Sequence, residues 1–137
     1  MKQLEKHPQH LASGPIDIMW HPESRLAVVR YAPDTNLVGE DGRVLVDALA
    51  GWIGTEHKRF GVLADAKGVC GTDAEYRSKM GAFFKLNRNT AFVALTNMGP
   101  VIRIVTEMLR IGTGMQLKAF ADDSAARAWL RGKGIAT

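Results

Sequence analysis

At 137 residues and 46% hydrophobic, the chain has the size of one compact domain that can bury its own core without staples. Its 18 basic and 14 acidic residues leave a net charge of +4 that is dispersed along the sequence, without the basic stripe or interleaved aromatics that nucleic-acid binding requires. The single cysteine, Cys70, excludes an internal disulfide, and no apolar run approaches the roughly 18 residues of a membrane span or the core of a signal peptide, so cytoplasmic residence is expected.

Residues 1–13 are polar, include Pro8 and follow neither helical nor strand periodicity; they are read as a flexible tail ahead of a domain at 14–137. Ile16, Ile18 and Trp20 then alternate with Asp17, Met19 and His21. After turn residues 21–24, a second apolar run from Leu26 to Tyr31 completes a β-hairpin. Pro33, Asp34 and Asn36 break the strand. Leu45, Ala48, Leu49, Trp52 and Ile53 recur at helical spacing, which predicts a helix beginning near Gly39 to Asp41.

The central stretch, Phe60 to Tyr76, reads as strand, glycine-punctuated loop and helix start. Thr72 stands three residues before Glu75, the spacing of a capping box in which threonine and glutamate each satisfy a backbone N–H of the first turn. The helix should run to about Asn87 with Tyr76, Met80, Phe83 and Phe84 inward. Ala91 to Leu95 is a wholly apolar strand, of the kind buried on both faces.

Pro100 in Asn97-Met98-Gly99-Pro100 marks the next helix start, because a first-turn proline gives up only an N–H that has no helical partner. That helix carries one narrow polar stripe, Arg103, Thr106, Glu107 and Arg110. The rest of its surface is apolar, a wider arc than one sheet face needs, which points to a second contact with another helix, a partner chain or a ligand. Gln116 to Phe120 supplies the last strand and Asp122 caps a final helix carrying Ala126, Trp129 and Leu130. The expected fold is α/β: a single-domain mixed five-stranded sheet flanked by four helices, in the order β-β-α-β-α-β-α-β-α.

Catalytic signatures are missing. No phosphate-binding G-x-x-x-x-G-K-[ST] or nucleophile elbow G-x-S-x-G occurs, and His7, His10, His21 and His57 hold no metal-ligand spacing with Cys70, so neither cofactor nor metal is expected. Cys70 lies near a helix start whose dipole could lower a thiol pKa, but with no histidine beside it we read it as a small loop residue. Asp65, at a strand end, is read as a cap for loop N–H groups rather than a base. In sheets of this kind, ligands and partners meet the loops beyond the strand ends, which directs attention to Ala66–Thr72.

Three segments carry a resemblance: Leu63-Ala64-Asp65 before a glycine-bearing loop, the Asn97–Pro100 turn, and Leu117–Leu130, which ends like F-x-x-x-x-x-A-x-x-W-L. They resemble the SpoIIAA-like branch of the STAS family, over about Pro15 to Ile135. The resemblance implies a non-catalytic bacterial regulatory domain, similar to anti-sigma factor antagonists, that docks a protein partner such as a regulator or kinase. The implied partner-binding residues are Lys67, Gly68, Cys70, Thr72, Asp73, Arg77 and Asn97. The family's regulatory Asp-Ser-Ser-Gly would fall at Asp73–Tyr76, which here reads Asp-Ala-Glu-Tyr, leaving Thr72 as the candidate phospho-acceptor. Similarity of this branch to lipid-carrying CRAL-TRIO domains implies an alternative, a small apolar ligand or lipid held against Ile102, Val105, Met108 and Leu109; the same residues could form a homodimer surface.

Overall fold

The structure, a computed structural model, describes residues 7–137. Its elements are β1 (Gln9–Ser13), β2 (Ile16–His21), β3 (Leu26–Tyr31), β4 (Thr35–Leu37), α1 (Gly39–Ile53), β5 (Phe60–Asp65), β6 (Val69–Thr72), α2 (Ala74–Leu86), β7 (Ala91–Thr96), α3 (Pro100–Thr113), β8 (Gln116–Phe120) and α4 (Asp123–Gly132). The main sheet runs β1-β2-β3-β5-β7-β8; β1, β2 and β3 are antiparallel neighbours, and β3, β5, β7 and β8 run parallel. A parallel pair, β4 and β6, forms a second small sheet.

The mixed α/β architecture with four helices matches the expectation, with six strands in the main sheet instead of five. The added strand is β1, from residues read as part of a tail. It pairs with β2 from Gln9↔Trp20 to Ser13↔Ile16, and the Trp52 indole N–H donates to Gln9 Oε1 at 3.0 Å. Of this edge strand Leu11 alone packs on the core, so its polar composition hides it. The first half of the expected tail, 1–6, lies outside the described residues.

Alternation decides which residues enter the core. Ile16, Ile18 and Trp20 on β2, Ala27 and Val29 on β3, and Phe60, Val62 and Ala64 on β5 are all buried against α1 and α2. Trp20 stacks on Trp52 of α1 with ring centroids 5.8 Å apart, and Phe83 meets both Phe60 and Phe84 edge-on. The opposite face packs Leu26, Leu63, Phe92 and Ala94 against Ala126 and Leu130 of α4 and Ile135 beyond it. Gly61 makes this seam possible: a Cβ there would lie 3.0 Å from Ile135 Cγ2 and 3.1 Å from Leu26 Cδ1.

Candidate functional site

The parallel strands β3, β5 and β7 all end on one rim, and three loops rise from it: 32–34 with β4, 66–68 with β6, and 97–99. The loops are tied to one another rather than merely adjacent. Asp65 Oδ1 accepts from the Lys67 backbone N–H at 2.9 Å and from Asn97 Nδ2 at 2.9 Å, joining the ends of β5 and β7 as the loop-capping reading anticipates. Asn97 sits at φ 57°, a left-handed conformation that asparagine tolerates better than most residues.

Gly68 has φ 96°, and a Cβ at this position would come within 2.6 Å of the Ala32 carbonyl oxygen, so only glycine lets the second loop lie against the first. Thr35 closes that contact. Its N–H donates to the Gly68 carbonyl at 2.7 Å and its hydroxyl to the Ala32 carbonyl at 2.6 Å. Arg30, Asp34, Asp65 and Lys67 surround a shallow depression of about 280 Å³ at this junction. Arg30 and Asp34 were not among the predicted site residues; the break at Pro33 and Asp34 was the signal that a loop stood there, but nothing in it said that β4 would bring the loop to β6.

The start of α2 differs from the predicted capping box by one position. Asp73, not Thr72, is the N-cap, and its Oδ1 accepts from the Tyr76 N–H at 2.7 Å. Thr72 ends β6, because the strand pairing with β4 continues through Leu37↔Thr72 and keeps that residue extended. The half-buried Thr72 is held by Arg77 instead, whose Nη1 donates to the Thr72 carbonyl at 2.7 Å and its hydroxyl at 3.1 Å. Among the described residues no carboxylate pairs with Arg77. Cys70 is exposed on β6 with its thiol 3.9 Å from the Gly68 carbonyl.

Lys67, Gly68, Cys70, Thr72, Asp73, Arg77 and Asn97 therefore all fall on this rim or at the α2 start beside it. The four residues named on α3 do not share one surface. Ile102 is buried and Val105 and Leu109 are half-buried, whereas Met108 faces outward with Val101, Ile104 and Ile111, each more than half exposed. Beneath α3 lies an apolar cavity of about 100 Å³. A larger open groove, of about 660 Å³, lies at the other end of the sheet between the last turns of α1 and α2.

Two tyrosines border the cavity, Tyr76 buried and Tyr31 half-buried. Burial pushes the Tyr31 hydroxyl up to about 12, offset in part by its hydrogen bond with Tyr76, and burial raises Tyr76 further with the Tyr31 and Asp41 charges adding to it. Among the described residues no group of three or more His, Cys, Asp or Glu side chains could hold a metal ion, and no helix is long and apolar enough to cross a membrane. What the rim offers is fixed charge and hydrogen-bonding groups on a shaped backbone.

No protein-family model and no curated protein matches the chain by sequence. Solved structures match it by fold. An uncharacterised DUF3478-family protein with a SpoIIAA-like fold from Shewanella loihica aligns with TM-score 0.61 at 17% identity, over 90% of this chain and 92% of that one. A putative anti-sigma factor antagonist from Thermotoga maritima aligns with TM-score 0.53 at 15% identity, over 76% and 87% of the two chains. The unphosphorylated anti-sigma factor antagonist SpoIIAA aligns with TM-score 0.53 at 15% identity, over 92% and 99%. At these identities the likeness is one of fold, and the fold of this chain is that of the SpoIIAA-like STAS domains.

Proposed function

We propose that the chain is a non-catalytic regulatory domain that docks a protein partner through the rim formed by Lys67, Gly68, Cys70, Thr72, Asp73, Arg77 and Asn97, with Arg30 and Asp34 extending it. The observation that carries this reading is the mutual locking of the loops through Asp65, Asn97, Gly68 and Thr35, which presents exposed Lys67 and Arg77 at fixed positions. A pre-formed surface gives up little entropy on association. Two of the fold neighbours are described as anti-sigma factor antagonists, one of them as putative, which supports a regulatory role. Asp65 and Cys70 meet amide and carbonyl groups rather than an acid–base partner, which supports the non-catalytic part.

Thr72 is the phospho-acceptor in this reading. Its hydroxyl already lies 3.1 Å from the Arg77 guanidinium, so a phosphate there would gain a charge-assisted pair and change the charge of the rim. The experiment is site-specific photo-crosslinking in cells, with the probe at Lys67 or Cys70 on the rim and at Glu56 on the far end of the sheet. A discrete protein adduct from the rim probes alone is the expected result, lost when Lys67→Glu is combined with Asn97→Ala. The same adducts from Glu56 would refute the assignment.

A further inference from the structure

The cavity under α3 is built mostly of aliphatic side chains: Ile102, Val105 and Leu109 above, Val62 and Val93 of the sheet below, and Met80 of α2 at the side. Its wall also includes Thr72 and Arg77. Arg77 is exposed, pairs with no carboxylate among the described residues, and spends one nitrogen on Thr72. A partly open apolar space with one unneutralised cation in its wall is complementary to a molecule with an aliphatic body and a single anionic end. Size narrows the class. At about 100 Å³ the space is smaller than the apolar cavity of roughly 150 Å³ that accepts a benzene.

We propose that this cavity is a binding site for a short-chain aliphatic carboxylate, its hydrocarbon end beneath Val105 and Leu109 and its carboxylate on Arg77. The tail replaces empty space with van der Waals contact, and the guanidinium supplies the charged hydrogen bond that sets orientation. The carboxylate would approach the atoms that hold the Thr72 hydroxyl, so occupancy of the site and the state of Thr72 would be linked through Arg77. Binding requires no protein partner, and its failure would leave the docking reading standing.

The test is methyl-resolved NMR of the intact chain titrated with butyrate, hexanoate and decanoate, with hexanol as the neutral control. Saturable shifts are expected for the inward methyls of Ile102, Val105 and Leu109, with the outward methyls of Val101, Ile104 and Ile111 unmoved. Decanoate should bind more weakly than hexanoate. Arg77→Gln should weaken hexanoate about tenfold, the loss appropriate to one charged hydrogen bond, and leave hexanol within about twofold. Val105→Phe, or the milder Ala66→Val if the former does not fold, should abolish binding of both by filling the space. Shifts confined to the outward methyls, affinity rising steadily to decanoate, or no shift at the solubility limit would each overturn the proposal.

Discussion

Helices α2 and α3 pack on the same face of the sheet, yet their side chains are distributed in opposite ways. In α2 the large apolar residues go inward except at its end: Tyr76, Met80, Phe83 and Phe84 are buried, Leu86 in the last turn is exposed, and Arg77 and Lys85 lie on the outer side. In α3 only Ile102 and Thr113 are buried, while Val101, Ile104, Met108 and Ile111 are 58–71% exposed. An aromatic-filled seam holds α2 in a single position. The cavity borders Tyr76, Met80 and Phe84 of α2 as well as Ile102, Val105 and Leu109 of α3, but α3 buries only Ile102 among its large apolar side chains and so has fewer contacts to fix its inner face. One helix is a wall of the core, and the other is seated more lightly on it.

The largest test of that difference is truncation on each helix. Phe83→Ala should cost about 3–5 kcal/mol, because the buried ring packs edge-on against both Phe60 and Phe84. Ile102→Ala should fall near the bottom of its class, about 2 kcal/mol, since the side chain already borders a void and has fewer contacts to lose. Urea unfolding with an unchanged m-value measures both. Equal losses at the two positions would mean that α3 is seated as firmly as α2.

Gly68→Ala probes the loop that leads into α2. The left-handed φ of 96° and the 2.6 Å approach to the Ala32 carbonyl oxygen should make this single methyl cost about 1–3 kcal/mol. It should also loosen the contact between the loops, seen as faster amide exchange at Thr35, whose N–H is bonded to Gly68. Loss of stability without faster exchange there would separate the loop junction from the seat of α2.

These contrasts were unevenly legible in the sequence. The periodicity of Leu45, Leu49 and Ile53, the unbroken apolar run at β7 and Pro100 after Gly99 each express one local rule, and the corresponding elements stand where expected. Strand β1 is polar, and β4 and β6 are only three and four residues long and exist because each pairs with the other across α1 and β5, which no local pattern reports. The excess apolar surface of α3 was visible as composition. Its division into an inner and an outer half was not, because that depends on how far the helix stands from the sheet. The proposed rim residues could be read because strand ends are legible, whereas Arg30 near the end of β3 and Asp34 just before β4 meet them only in the folded sheet.

A smaller effect separates the two candidate caps of α2. Asp73→Ala should cost about 1 kcal/mol by removing the acceptor for the Tyr76 N–H, while Asp73→Asn retains an acceptor and should lose only a few tenths. Thr72→Val removes a hydroxyl that caps nothing and should be closer to neutral. A larger loss from Thr72→Val than from Asp73→Ala would restore the capping box read from sequence. Thermal denaturation of the three variants side by side distinguishes the cases.

The last effect is absent at neutral pH and appears only in alkali. Tyr31 and Tyr76 both line the cavity between the two helices, and they are the only tyrosines in the chain. Burial holds the folded-state pKa of Tyr31 at about 12, above the value of about 10 in an unfolded chain, and raises Tyr76 in the same direction. Raised values mean that the unfolded state loses its phenolic protons first. The stabilisation is therefore complete below about pH 10 and declines as pH climbs toward about 12. Phenolate absorbance should rise only above the ordinary tyrosine range, with the urea midpoint falling over the same interval, and Tyr31→Phe should remove part of that fall. Because both side chains line the same cavity as Ile102, Val105 and Leu109 of α3, titration near 10 in a chain that is still folded would show water reaching them, and α3 would then stand further from the sheet than its lining contacts imply.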